Sequence, residues 1–265
     1  MPAPLLSLPH VAVELPSRLF SRRRLAPVRP AGQPGPKAMA ARLARFGLFS
    51  DFPPHCLARL AAATRVQVHG AGDALWHQGE ASRRVLLIEE GLAIASRRVR
   101  EGVSRTYGLY GPGDSLGLYA IWAGMKYPTD ALALNHGLTV LALSSSALVK
   151  CVREEPRLLE PLMEEVGRFT EAFLRKIDIV SAGTVQQRVA ALMHMLLERY
   201  GVPTGERAAS LPIRLTLEQI GAITDARIET VARALAEWKR EGWMSNDADG
   251  FHFSALSRLK DELGD

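Results

Sequence analysis

The chain has 265 residues, enough for one or two domains, and its 47% apolar and 23% charged content excludes a wholly disordered or collagen-like protein. The formal charge is +5, but residues 1–50 hold eight cations (Arg18, Arg22, Arg23, Arg24, Arg29, Lys37, Arg42, Arg45) against Glu14 alone, so the rest of the chain stands at −2. The basic balance by itself therefore does not mark a nucleic-acid binder. Two cysteines, Cys56 and Cys151, are too few for a disulfide scaffold or a cysteine-held iron–sulfur cluster. No apolar run reaches the ~18 residues of a membrane span, and the N-terminus lacks the early positive region of a secretory signal. These features point to a cytoplasmic protein with no membrane partner.

In chain order, residues 1–37 carry Pro2, Pro4, Pro9, Pro16, Pro27, Pro30, Pro34 and Pro36 with Gly32 and Gly35, which reads as a disordered basic tail. Its Arg22–Arg23–Arg24 run is a solvated charge first and a loose phosphate attractant second. Met39 is an alternative start. Helical spacing runs from about 40 to 64 through Leu43, Phe46, Leu48, Leu57, Leu60 and Ala61. From 65 to 143, β-prone runs (Arg65–His69, Val85–Glu89, Leu92–Arg98, Arg105–Tyr110, Leu138–Leu143) alternate with glycine turns, the pattern of an all-β sandwich or barrel over 38–150.

Helix returns from about 145 to 181. Leu159, Leu162, Val166, Phe169, Phe173 and Val180 recur at steps of three and four, with Lys176 at the remaining position of the stripe. That heptad-like spacing predicts a dimerisation helix over 151–183; the alternative is an amphipathic helix lying on its own domain. A further helix spans 184–200, through Val189, Leu192, Met193, Leu196 and Leu197.

Within 184–265, Thr216 and Gln219 form a capping-box pattern ahead of Leu217, Ile220 and Ile223, all expected to face inward. A break at Thr224–Asp225 precedes a second helix from Ala226 to about Glu241, with Ile228, Val231, Leu235 and Trp238 buried. Two short helices joined by a tight break make a helix-turn-helix. Asp249–Gly250, flanked by Phe251 and Phe253, adds a hairpin, hence a wing. On the second helix Glu229 and Arg233 share one face. Arginine bonds guanine N7 and O6 in a major groove, and glutamate accepts from the cytosine amine. The competing reading is a surface salt bridge between the two.

Over roughly residues 40–260 the chain resembles the Crp/Fnr family of bacterial transcription regulators. The order of elements matches, and ETVAR (229–233) is similar to the E-x-x-S-R recognition signature of the Fnr/FixK branch. Ala232 replaces the serine, Ile228 stands where the Crp branch has an arginine, and Asp225 replaces the turn glycine. The resemblance implies an α+β fold: an N-terminal β-roll like the cyclic-nucleotide-binding jelly roll, a long dimerisation helix and a C-terminal winged helix-turn-helix. It implies a homodimer on double-stranded DNA with TTGAT-like half-sites, and RNA polymerase as a further partner. Glu229, Ala232 and Arg233 would read bases, and Arg227, Thr230, Lys239 and Arg240 would meet phosphates.

The effector is less legible. Gly113, Asp114, Leu116, Gly117 and Thr129 mark a candidate pocket, because Gly113–Asp114–Ser115–Leu116–Gly117 resembles the start of the family's phosphate cassette. The arginine triplet of cyclic-nucleotide binders is replaced by Tyr127–Pro128–Thr129–Asp130–Ala131, whose acid repels phosphate, so cyclic AMP is not expected. An iron–sulfur cluster is not expected either, since the cluster cysteines of the oxygen-sensing branch are missing. No metal site or other cofactor is predicted. Haem at His69 and His77, on neighbouring predicted strands, is a minor alternative, and His55, His136, His194 and His252 show no metal spacing. A sensor with a vestigial helix-turn-helix is the second reading of the whole chain. A serine hydrolase using Ser115 in a G-x-S-x-G run is a remote third, because no βαβ alternation supports it. Cys151 reads as a small apolar filler, with a redox role as its alternative.

Overall fold

The computed structural model describes residues 29–30, 32–100, 103–134 and 137–264. In chain order the elements are β1 (Arg29–Pro30), α1 (Pro36–Leu43), α2 (Pro54–Ala62), β2 (Thr64–His69), β3 (Ala74–Trp76), β4 (Arg84–Glu90), β5 (Ala93–Arg100), β6 (Val103–Tyr110), β7 (Ser115–Leu116), α3 (Leu118–Trp122), β8 (Asp130–Ala133), β9 (Leu138–Ser144) and α4 (Ser145–Glu154). There follow α5 (Leu159–Ser181), α6 (Val185–Tyr200), β10 (Val202–Pro203), β11 (Ala209–Leu211), α7 (Leu217–Thr224), α8 (Ile228–Arg240), β12 (Met244–Asn246), β13 (Phe251–Phe253) and α9 (Leu256–Leu263). Among the described residues no helix is long and apolar enough to cross a membrane.

The strands from β1 to β9 build two antiparallel sheets, in the orders β1-β2-β9-β4-β7 and β3-β8-β5-β6. They form the β-roll. The five long predicted runs all become strands, whereas the short strands β3, β7 and β8 carry too few residues to show a period.

Part of the tail reading needs correction. Residues 1–28 and 31 lie outside the described residues, but Arg29–Pro30 pairs with Gln67–Val68 as an edge strand. The Gln33 amide donates to the Val66 carbonyl at 3.2 Å, and Pro36 already opens α1. Proline is tolerated at a sheet edge and at a helix start because its missing N–H is not needed there.

The helix expected from 145 is broken. Glu155 sits at φ −128°, ψ 79°, before Pro156, and α5 resumes only at Leu159. A residue preceding proline is pushed out of the helical region by the ring's Cδ.

Within α5 the predicted stripe faces mostly inward. Leu162 is fully buried, Val166 packs against the same core, and Phe169 stacks between Tyr110 (6.2 Å) and Tyr119 (5.5 Å) of the β-roll. This corrects the expectation that these side chains await a second copy. Val180 is likewise half-buried. Leu159 and Phe173 are exposed, Phe173 stacking on Tyr107 at 5.9 Å.

The C-terminal unit does not stand apart. Leu92, Ile94, Leu109, Leu132 and Leu134 of the β-roll share one apolar core with Val189, Leu192, Met193 and Leu196 of α6. Tyr200 at the end of α6 comes so close to Gly111 that a Cβ there would lie 2.1 Å from its hydroxyl. Residue 184 therefore divides the chain by element but not by core.

Candidate nucleic-acid interface

The helix-turn-helix is assembled from local chemistry. The Thr216 hydroxyl accepts from the Gln219 N–H at 3.2 Å, and the Gln219 side chain accepts from the Thr216 N–H at 2.9 Å, which satisfies two orphan donors at the start of α7. Ile220 and Ile223 face inward, but Leu217 is exposed, against expectation: at the first helical position its side chain points away from the core. Asp225 ends α7 at φ 51°, ψ 46°, a left-handed conformation that aspartate bears better than most residues.

The second helix, α8, begins at Ile228, two residues later than expected, with Arg227 at its N-cap. Val231, Ala234, Leu235 and Trp238 are buried; Ile228 is only half-buried. Trp238 packs against Trp243 at 4.8 Å. The opposite face presents Arg227, Glu229, Arg233, Lys239 and Arg240 to solvent, with Thr230 and Ala232 partly exposed. Glu229 in the first turn and Lys239 and Arg240 in the last oppose the charges of the helix dipole. Among the described residues neither Glu229 nor Arg233 enters an ion pair, so the salt bridge that competed with base reading does not form. Arg240 stands 3.7 Å from Glu237, which also accepts from Gln186 at 3.1 Å.

The wing is a hairpin of β12 and β13. The Asp247 side chain accepts from the N–H groups of Asp249 (2.7 Å) and Gly250 (3.2 Å) and closes the turn.

Sequence reasoning missed what holds this unit in place. The Asp225 carboxylate lies 3.3 Å from Arg105 of β6 and 3.7 Å from Lys176 of α5, and the Arg188 guanidinium donates to the Asp225 carbonyl at 3.5 Å. Lys176 is 8% exposed and also donates to the Ile223 carbonyl. Burial lowers its pKa to about 8 despite the opposing pull of Asp225. A lysine inside an otherwise apolar stripe was the available signal.

The five candidate effector residues do not converge on one cavity. Asp114 accepts from Arg199 of α6 with both oxygens at 2.8 Å and from the Gly111 N–H at 2.8 Å. Gly113 lines a groove of about 460 Å³ with Arg42, Arg45 and Glu89. Leu116 is buried in the β-roll core, and Gly117 caps α3. The Thr129 carbonyl accepts from the Trp76 indole at 3.0 Å. Trp76 in turn stacks on Tyr127 at 4.1 Å, and the Tyr127 hydroxyl bonds both backbone groups of Arg84.

His69 and His77 fall in or beside different sheets, β2 and β3, rather than on neighbouring strands. His69 is buried, with its pKa lowered by burial, and His77 lies 3.3 Å from Asp130. Ser115 is buried in the antiparallel β4–β7 pair rather than poised on a strand-to-helix elbow of a parallel sheet.

Comparison with known proteins agrees with this geometry. The family model of the cyclic nucleotide-binding domain matches residues 66–155, and that of the Crp-like helix-turn-helix domain matches residues 187–262. Over 217 residues, 82% of this chain and 96% of the relative, the sequence is 25% identical to a CRP-like cAMP-activated global transcriptional regulator of Mycobacterium tuberculosis. It is 23% identical over 171 residues, 64% of this chain and 70% of the relative, to the regulatory protein HlyX of Actinobacillus pleuropneumoniae. Among solved structures, FixK2 from Bradyrhizobium japonicum has a similar fold, with a TM-score of 0.64 at 18% identity over 75% of this chain and 96% of that one. A CRP-family transcriptional regulator from Thermus thermophilus gives 0.62 at 21% identity over the same shares.

Proposed function

The chain belongs to the Crp/Fnr family of transcription regulators, and from that premise we propose that it acts in the cytoplasm as a homodimer on a palindromic operator with TTGAT-like half-sites. In this reading Glu229, Ala232 and Arg233 face base edges. Arg227, Thr230, Lys239 and Arg240 meet phosphates, which fix register while base contacts carry the sequence. RNA polymerase is the further partner. The observation that carries the proposal is the face of α8, where Glu229 and Arg233 stand exposed, one turn apart and unpaired with each other, opposite the Val231/Leu235/Trp238 anchor.

Dimerisation is supported by the outer face of α5. Leu159, Met163, Leu174 and Ile177 are exposed there, with Gly167 and Thr170 between them. Met163, Thr170 and Ile177 recur every seven residues, the spacing of a helix-pairing seam. Trp122 and Leu159 line an adjoining apolar groove of about 570 Å³, which extends the same face onto α3. Two copies joined along α5 would present two α8 helices to successive major grooves.

In this reading the turn at 113–117 holds no cyclic nucleotide. Asp114 is engaged by Arg199, the Trp76–Tyr127 stack lies in the same core as Leu116, and Asp130 adds a carboxylate beside His77. We therefore assign cyclic AMP no role here.

A fluorescence-anisotropy titration of the full chain against a TTGAT-N4-ATCAA duplex tests the proposal. Binding at least tenfold tighter than to a scrambled duplex at the same salt is expected; equal affinity for both would refute it.

A further inference from the structure

Cys56 and Cys151 are the two cysteines of the sequence, and the fold brings them together. Cys56 lies in α2 and Cys151 in α4, two helices in contact, and both thiols are buried in the same core. Flanking pairs hold the same register: Arg59, three residues past Cys56, is ion-paired to Glu154, three past Cys151. His55 places its Nε2 atom 3.4 Å from the Cys56 sulfur and 3.5 Å from Glu155.

The two thiols are not equivalent. Cys56 is the third residue of α2 and has the His55 imidazole within hydrogen-bond reach of its sulfur. The Cys151 thiol is pushed up to about 11, by burial first and by Cys56 second. One thiol is thus set to attack and the other to follow.

We propose that Cys56 and Cys151 form a reversible intrachain disulfide on exposure to a hydroperoxide, which makes the α2–α4 contact a redox-modification site. The Cys56 thiolate attacks a peroxide oxygen, the O–O bond breaks, and the proton passed to His55 leaves with the departing hydroxide as water. The Cys151 thiol then attacks the Cys56 sulfenic acid; the S–O bond breaks and a second water leaves with the Cys151 proton. Two thiols and one hydrogen peroxide become one disulfide and two waters, a two-electron oxidation of the protein. Both thiols are buried, so attack proceeds through opening of the first turn of α2, which has no side-chain cap and lies beneath the exposed His55.

The bond would have two structural effects. Strands β2 to β9 all lie between the two cysteines, so it would close a loop around nearly the whole β-roll. It would also fix α4, which leads through Glu155–Pro156 into α5, onto α2.

The chemistry is the chain's own and holds whichever DNA it binds. The full-length protein is treated with hydrogen peroxide, with glutathione in the same tube as a positive control. Thiols are then counted in denaturant and the intact mass is measured. The expected result is loss of both thiols, a fall in mass by two hydrogen atoms, a peptide pair linking Cys56 to Cys151, and reversal by dithiothreitol. Cys151→Ser should instead add oxygen to Cys56 without a link. Survival of both thiols while glutathione is oxidised would overturn the proposal, and so would oxygen addition to the wild type without a cross-link. The wild-type count decides the matter even if a variant fails to fold.

Discussion

Lys176 Nζ stands 3.7 Å from the Asp225 carboxylate, and this contact joins the middle of α5 to the left-handed residue at the turn of the helix-turn-helix. Arg105 approaches the same carboxylate from β6, so three parts of the chain meet at one acid. Three charged groups face Lys176: Asp225 favours its proton, and Arg105 and Arg188 oppose it.

The pH dependence follows from burial of Lys176. Its pKa is about 8 in the folded chain and 10.5 ordinarily, so between those values the unfolded chain binds the extra proton. The lysine's contribution to stability therefore increases with pH across that window, by on the order of 2 kcal/mol. Thermal melts of the wild type and Lys176→Met at pH 7 and pH 10 check this. The wild type should gain on the variant as pH rises; a constant difference would count against it.

The β-roll and α6 are held by the Asp114–Arg199 pair, which is partly shielded from solvent. Asp114→Asn and Arg199→Met should each destabilise. Their double-mutant cycle should show a coupling of about 1–2 kcal/mol, measured by urea unfolding. Additive losses would mean that the pair forms without contributing.

The two faces of α5 should respond differently. Leu174→Glu with Ile177→Glu is expected to give a folded monomer by sedimentation. Leu162→Ala should cost about 2–5 kcal/mol of stability and leave the oligomeric state unchanged. Leu162 is fully buried, whereas Leu174 is 52% exposed.

Cyclic AMP at millimolar concentration should leave the melting temperature unchanged, because a ligand that binds only the folded state must raise it. A rise that saturates with concentration would show binding and overturn the assignment.

The legible parts of this chain were those written in local chemistry. Thr216 and Gln219 announce a helix start, Asp225 permits a tight turn, and Glu229 and Arg233 share a face because four residues make about one helical turn. The order of elements follows from such signals, and the α+β fold class from the family resemblance they carry. The stripe on α5 faces the β-roll; spacing alone marks an apolar face and does not say which neighbour covers it. Leu162 and Phe169 proved to serve the β-roll, leaving Met163, Leu174 and Ile177 outside. Asp114 looked like part of a ligand site because its partner, Arg199, lies 85 residues away in sequence. A partner so distant leaves no trace in local spacing, whereas the clamp on Asp225 leaves one, Lys176 in an otherwise apolar stripe.

Base reading by α8 is decided by Arg233→Ala. Affinity of the wild type and the variant is measured at one salt concentration, for a TTGAT-N4-ATCAA duplex and for the same duplex with the half-site guanines replaced. The variant should lose about 1–3 kcal/mol on the first duplex and little on the second, so that discrimination collapses. Equal loss on both duplexes would contradict base reading, because Arg233 would then be touching only phosphate.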